Sequence, residues 1–97
     1  MNVLVMDDAN VVRERIVEML TELQIGEILE ADTTQTAASL IEKHQPRVAI
    51  LDIQVPGTTE LRNGIDVLKW IRNCYPSTAV IMISNFDIPR SRAWLWL

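Results

Sequence analysis

The sequence contains 97 residues, of which 48% are hydrophobic and 23% are charged, and its net charge is -4 at pH 7. This length leaves room for one domain, and the composition is that of a folded globular chain, which excludes two separate cores and intrinsic disorder. The acidic balance provides no basic surface for nucleic acid or for an anionic membrane, so we expect neither as a partner.

Cysteine content and apolar runs indicate the compartment. The single cysteine, Cys74, excludes an internal disulfide, and we expect it to be buried near a helix end. No apolar run approaches the roughly 20 residues of a membrane span, and the apolar start over residues 3–6 is too short for a secretory signal. We therefore expect a reduced, cytoplasmic protein.

The first predicted elements are a strand and a helix. Residues 3–6 form a continuous apolar run that two acids end, which is typical of a strand buried on both faces of a parallel sheet. From Asn10 to about Gln24 the apolar residues recur at helical spacing, with charged residues on the other faces. Gly26 is placed to end this helix.

The next predicted pair is a weaker strand and a second helix. Residues 27–31, Glu-Ile-Leu-Glu-Ala, form the strand. The helix extends from residue 33 to about 44 with its alanines, leucine and isoleucine facing inward. Thr33 or Thr34 is expected to cap its first turn.

The second half of the chain repeats the alternation. Pro46 precedes a strong strand over residues 48–53, and a loop follows over 54–63. A third helix is predicted for 64–73 and a fourth strand for 79–84. Short apolar strands alternating with amphipathic helices indicate an α/β fold, a doubly wound parallel sheet with helices on both faces and right-handed crossovers.

Acidic residues follow two of these strands. Asp7 and Asp8 end the first strand, Asp52 lies near the end of the third, and Ser84 ends the fourth. Open parallel sheets bind ligands beyond the carboxyl ends of their strands. If the first and third strands are neighbours, three carboxylates converge, and each like-charge pair at about 4 Å costs about 4 kcal/mol at an effective dielectric of about 20. A bound cation relieves that repulsion, and Mg²⁺ accepts such an all-oxygen ligand set.

Each of these residues also has a simpler interpretation. Asp8 or Asn10 could cap the first helix, and Ser84 could be a satisfied hydroxyl at a strand end. Asp52 is harder to explain structurally, because it interrupts an apolar run in which an unpaired carboxylate would be costly. The combination at matching strand ends therefore carries the argument for a site.

Four segments together resemble the receiver domains of two-component response regulators. They are Met6-Asp7-Asp8, Leu51-Asp52-Ile53-Gln54-Val55-Pro56-Gly57, Gly64-Ile65-Asp66-Val67-Leu68 and Ile81-Met82-Ile83-Ser84-Asn85. The resemblance covers residues 2 to about 88. It implies a flavodoxin-like receiver fold with strands in the order 2-1-3-4.

The resemblance also implies a role for each site residue. Asp52 corresponds to the phosphoacceptor, Asp8 to a direct Mg²⁺ ligand, and Asp7 to a second acid that acts largely through water. The backbone carbonyl of Gln54 would complete the protein ligands, which include Asp52, and Ser84 would be the switch hydroxyl that hydrogen-bonds the phosphoryl group. The implied partner is a sensor histidine kinase or a phosphotransfer protein, from which Mg²⁺-dependent transfer phosphorylates Asp52.

The sequence departs from the family pattern near its end. The family continues after the fourth strand with a helix, a fifth strand that ends in an essential lysine, and a last helix. Here the only lysines are Lys43 and Lys69, both in predicted helices, so we expect impaired phosphorylation. The tail over 89–97 is apolar, and residues after Ser84 could make at most one short helix. We interpret residues 1–97 as one truncated receiver domain that lacks the last strand and helix, from a truncated or frameshifted gene.

Truncation would leave the fourth strand with an unpaired edge next to apolar sequence. We therefore expect a homodimer, formed through fourth-strand edges or through an exchanged C-terminal segment containing Trp94 and Trp96. A monomer whose tail folds back is the alternative.

Two other functions compete with the phosphoacceptor. One is a receiver remnant that only dimerises or binds a kinase and is not phosphorylated. The other is a small Mg²⁺-dependent phosphohydrolase with an aspartate nucleophile. Such enzymes place a second acid two residues after the nucleophile, whereas Asn10 occupies that place after Asp8.

Overall fold

The computed structural model describes residues 1–84 and 93–96 of the chain. Strands and helices alternate up to the fourth strand, and a short fifth strand follows. The elements are β1 (Asn2–Met6), α1 (Asn10–Glu22), β2 (Glu27–Ala31), α2 (Thr34–His44), β3 (Val48–Asp52), α3 (Gly64–Cys74), β4 (Ala79–Ser84) and β5 (Ala93–Trp96). No helix in the described residues has both the length and the apolar character needed to cross a membrane.

The strands form one sheet in the order β2-β1-β3-β4-β5. The first four are parallel, which confirms the predicted doubly wound sheet with the order 2-1-3-4. β5 is antiparallel to β4, with Ala93 opposite Ser84 and Trp96 opposite Ile81. The expectation of a bare fourth-strand edge is therefore wrong for this structure, since β5 of the same chain pairs with β4.

Two apolar clusters, one on each face of the sheet, hold the helices. On one face, residues of β1, β3 and β4 pack with Ile41 of α2 and with Val67 and Ile71 of α3. On the other face, alternate residues of the same strands pack with Ile16 of α1. Because both faces are covered, the central strands contain consecutive apolar residues, which explains why they were recognisable in the sequence.

The end of α1 differs from the prediction. The helix ends at Glu22, and Leu23 is its C-cap. Gln24 adopts the left-handed conformation with φ 53°, and its N–H donates to the Thr21 carbonyl at 3.0 Å. Gly26, the predicted terminator, has φ 128° and lies against the backbone of Met1, where a Cβ would overlap the Met1 carbonyl.

Three further local predictions, a helix cap, a buried cysteine and a C-terminal helix, have different outcomes in the structure. Thr33 caps α2, since its hydroxyl accepts from the Thr36 N–H at 3.1 Å, as one of the two predicted alternatives requires. Cys74, expected to be buried, is exposed at the end of α3. The predicted short helix after Ser84 falls partly on residues 85–92, which lie outside the described residues, whereas Ala93–Trp96 form a strand.

Candidate functional site

The register of the parallel strands brings the predicted site residues to one edge of the sheet. Met6 pairs with Leu51, so Asp7 follows β1 beside the end of β3. Asp52 pairs with Ile83, and Ser84 is the next residue of β4. The predicted site residues therefore lie at the carboxyl ends of three adjacent strands, β1, β3 and β4, as the sequence predicted.

Three carboxylates converge at this edge. One oxygen from each of Asp7, Asp8 and Asp52 lies within 4.8 Å of the others. Asp7 is 0% exposed and Asp52 is 4% exposed, whereas Asp8 is exposed to solvent. Carboxylates this close repel one another, and burial of two of them weakens screening by water, so a bound cation would relieve the repulsion.

Hydrogen bonds to backbone groups close in sequence orient the two buried carboxylates. Asp7 Oδ1 accepts from the backbone N–H of Ala9 at 2.9 Å, and Asp52 Oδ1 accepts from that of Gln54 at 3.2 Å. In both cases the carboxylate bonds to the backbone two residues on, as in an Asx turn. Each acid is thereby fixed to the loop that leaves its strand.

The alternative interpretation of Asp8 and Asn10 as helix caps is wrong. The N-cap of α1 is Ala9, and no side chain caps this helix. Asn10 Oδ1 instead accepts from Arg13 Nη2 at 2.8 Å. Asp8 stands outside the helix with its carboxylate in the cluster.

Ser84 and Gln54 occupy the predicted positions around Asp52. Ser84 is buried at the end of β4. Gln54 is exposed in the loop after β3, where its N–H contacts the Asp52 carboxylate. The structure thus places all five predicted residues at the ends of β1, β3 and β4, while their chemical roles remain predictions.

The loop between β3 and α3 is an ordered unit attached to α2. The Thr58 N–H donates to the Leu61 carbonyl at 2.9 Å, and the Leu61 N–H donates to the Thr58 hydroxyl at 3.1 Å. The buried Thr34 hydroxyl donates to the same Leu61 carbonyl at 2.6 Å, and the Thr34 N–H donates to the Pro56 carbonyl at 3.0 Å. The sequence predicted a loop over residues 54–63 but not its attachment to α2.

Gly64 also supports the site, by allowing α3 to start against the end of β3, and the sequence did not predict this role. Its N–H donates to the Ile53 carbonyl at 2.9 Å, and a Cβ on it would overlap the carbonyl oxygen of Asp52. The start of α3 therefore lies directly against the end of β3. The glycine at the start of the segment over residues 64–68 could have indicated this contact, because a close approach of two backbones favours glycine.

An ion pair joins this loop to α3. Arg62 Nε lies 3.0 Å from Asp66 Oδ2, and the Arg62 backbone N–H donates to the same oxygen at 2.9 Å. The side-chain hydrogen bond from Arg62, together with that from its backbone N–H, lowers the pKa of Asp66. The side-chain bond also raises the pKa of Arg62. Asn63 caps the same helix by accepting from the Asp66 N–H at 3.1 Å.

This ion pair should make stability depend on pH in the acid range. Because the pKa of Asp66 is lower in the folded state, its contribution is complete above the unfolded value of about 4 and is lost as the pH falls through the folded value. We expect Asp66→Asn to lower the free energy of unfolding at neutral pH, and the difference from wild type to shrink below about pH 4. Urea unfolding of both proteins across this range tests it, and a pH-independent difference would contradict it.

Comparisons with known proteins identify the family. The model of the response regulator receiver domain matches residues 3–93. A probable transcriptional regulatory protein NarL from Mycobacterium tuberculosis is 35% identical over 88 residues, which cover 90% of this chain and 39% of that protein. The chain spans about a third of the length of other curated relatives, including an uncharacterized response regulatory protein of Staphylococcus epidermidis.

Solved structures agree with the sequence matches. The non-phosphorylated receiver domain of the stress response regulator RcsB from Escherichia coli has a TM-score of 0.79 at 26% identity, covering 92% of this chain and 68% of that one. Salmonella enterica RcsB, bound to promoter rprA with the phosphomimetic BeF₃⁻, also has a TM-score of 0.79 at 26% identity, covering 92% of this chain and 50% of that one. A parallel sheet in the order 2-1-3-4, three carboxylates at its edge and these matches lead to one conclusion: this chain belongs to the family of response regulator receiver domains.

Proposed function

We propose that this chain is the phosphoacceptor module of a two-component phosphorelay and that Asp52 receives the phosphoryl group from a histidine kinase or a phosphotransfer protein. The observation that supports this most is the convergence of the buried Asp52 carboxylate with those of Asp7 and Asp8. Three carboxylates within 4.8 Å of one another repel, and a bound cation relieves that repulsion.

The donor set fits Mg²⁺. Carboxylate oxygens of Asp8 and Asp52, the carbonyl of Gln54, and Asp7 acting largely through water would hold the ion, since Mg²⁺ prefers a few oxygen ligands and retained waters. When bound, the ion neutralises charge on the carboxylates and on the incoming phosphoryl group. Burial of Asp7 and Asp52 strengthens this attraction because bulk water screens it less.

In the proposed transfer, an Asp52 carboxylate oxygen attacks the phosphorus of a phosphohistidine. The new O–P bond gives an acyl phosphate, the P–N bond breaks, and its electron pair stays on the departing imidazole nitrogen. The hydrogen bond from the Gln54 N–H orients the Asp52 carboxylate for this attack. The Ser84 hydroxyl, at the end of the adjacent strand, would donate to a phosphoryl oxygen of the product.

Mg²⁺-dependent phosphorylation tests this proposal. We expect the chain incubated with acetyl phosphate and Mg²⁺ to gain one phosphoryl group by intact mass spectrometry, and to gain none when EDTA replaces Mg²⁺. Equal incorporation with and without the metal would contradict the proposed site. We expect slow incorporation, because Lys43 and Lys69 lie in α2 and α3, and neither supplies a cation at a strand end.

The position of these lysines also supports a second candidate, an interaction module that is not phosphorylated. This module would have the same fold and would bind the same kinase, and only the reactivity of Asp52 would differ. Absence of any phosphoryl incorporation, together with retained binding to a kinase, would favour this candidate.

We further propose a homodimer and a cytoplasmic location. Since β5 occupies the edge of β4, exchange of β5 between two copies is the favoured route to a dimer. We expect these 97 residues not to bind nucleic acid, and this expectation rests on their net charge of -4. RcsB is a DNA-bound regulator in its solved complexes, so we do not extend that exclusion to a longer protein.

Exchange can be tested with a disulfide across the β4–β5 register. Ile81 and Trp96 are directly opposite, so we expect the variant Ile81→Cys, Trp96→Cys, Cys74→Ser to form a covalent dimer on oxidation. Non-reducing electrophoresis of the oxidised variant measures the covalent dimer. Light scattering of the wild-type chain at micromolar concentration measures its oligomeric state. A purely intramolecular disulfide and a monomeric wild type would contradict exchange.

A further inference from the structure

We infer that Arg13 is a positioning residue that sets the affinity of the acidic cluster for a divalent cation. This inference rests on the proposed function, because it assumes that the cluster of Asp7, Asp8 and Asp52 binds Mg²⁺. Arg13 lies in α1 and is not one of the three acids of the cluster.

Arg13 makes contacts to three elements. Nη1 donates to the backbone carbonyl of Asp7 at 2.6 Å, Nη2 donates to Asn10 Oδ1 at 2.8 Å, and Nε donates to Glu30 Oε1 at 3.1 Å. The side chain of Arg13 is only 15% exposed. Its guanidinium therefore joins the end of β1, the start of α1 and the strand β2.

The contact with Asp7 acts on the peptide that carries the cluster. The Asp7 carbonyl belongs to the peptide bond between Asp7 and Asp8, so Arg13 fixes the plane that connects two of the three acids. The N–H of Asp7 is held as well, since it donates to the Ala31 carbonyl of β2 at 3.0 Å. Arg13 and β2 together determine where the first two carboxylates stand relative to Asp52.

Positioning and simple electrostatics predict opposite effects when Arg13 is replaced. Removing a positive charge near an acidic site should strengthen binding of a cation. Releasing the Asp7–Asp8 peptide should weaken it, because groups that orient metal ligands typically contribute about 10- to 100-fold in affinity. Lysine keeps the charge of Arg13 but lacks the planar fork that reaches three acceptors at once.

The test is the Mg²⁺ dissociation constant of the 97-residue chain, measured by isothermal titration calorimetry. We expect Arg13→Lys and Arg13→Gln each to weaken binding by about tenfold. Arg15→Gln is the matched control, since Arg15 is an exposed residue of the same helix, and we expect equal or slightly tighter binding. Asn10→Ala, which changes no charge but removes one acceptor of Arg13, should weaken binding by a smaller factor.

Urea unfolding of each variant separates this effect from loss of the fold. If Arg13→Lys does not fold, Asn10→Ala carries the test. An unchanged dissociation constant in the folded variants, or tighter binding in Arg13→Gln equal to that in Arg15→Gln, would overturn the inference. If the folded wild-type chain itself binds no Mg²⁺, the proposed cation site fails, which is a different result from a wild type that binds and variants that bind equally well.

Discussion

Replacing Asp52 with asparagine is expected to abolish phosphoryl incorporation from acetyl phosphate. The amide has nearly the same shape, and its oxygen can still accept from the Gln54 N–H, so the loop after β3 should keep its position. The amide nitrogen and oxygen are far weaker nucleophiles than a carboxylate, and no acyl phosphate can form. Intact mass spectrometry after incubation with Mg²⁺ measures the loss.

Asp32→Asn is the matched control for this substitution. Asp32 is exposed after β2 and does not belong to the carboxylate cluster, so the same chemical change should leave incorporation at the wild-type level. Wild-type incorporation in a folded Asp52→Asn variant would show that another residue accepts the phosphoryl group.

Leu51→Ala is expected to destabilise the domain by about 2–5 kcal/mol. Leu51 is completely buried in β3, directly before Asp52, and packs in the cluster that joins the sheet to α2 and α3. Removing its side chain leaves a cavity between rigid elements that can close only partly. A loss of this size is a large share of the 5–15 kcal/mol that typically stabilises a domain.

Leu23→Ala tests whether burial causes that loss. The residue type and the substitution are the same, but Leu23 is 69% exposed at the end of α1. We expect a change within about 0.5 kcal/mol, as for most surface substitutions. Urea unfolding of the two variants measures both values, and similar losses would contradict the described core.

Most of the fold could be predicted because the central strands have a clear local pattern and helical segments separate the parallel strands. β2 and β4 have the predicted bounds, and both central strands are apolar runs with a helix on each side of the sheet. The end of α1 could not be predicted in the same way. Gln24 adopts a conformation that glycine favours, and Gly26 is instead required by a close approach to Met1, which is distant along the chain.

The acidic residues of the site were predictable because they end strands whose order follows from the fold. The residues that support them were not. Arg13 and Thr34 both donate to backbone carbonyls, and every residue has such a carbonyl, so no sequence pattern marks the acceptor. The partner of Thr34 lies 27 residues away.

The C-terminal segment was the main error of the prediction. A four-residue strand with the sequence Ala-Trp-Leu-Trp has neither helical spacing nor the alternation of a half-buried strand. Its pairing with β4 depends on an available edge, which is a property of the assembled sheet. The local sequence therefore predicted neither this strand nor its antiparallel pairing with β4.

The most direct measurement is a crystal structure of the chain with Mg²⁺ and beryllium fluoride, a phosphoryl mimic. We expect the ion to be bound by Asp8, Asp52 and the Gln54 carbonyl, with Asp7 contacting it largely through water. We expect the fluoride adduct on the Asp52 carboxylate, with the Ser84 hydroxyl donating to it. An adduct on another residue, or a cluster of Asp7, Asp8 and Asp52 that holds no ion at saturating Mg²⁺, would contradict a phosphoacceptor site at this edge of the sheet.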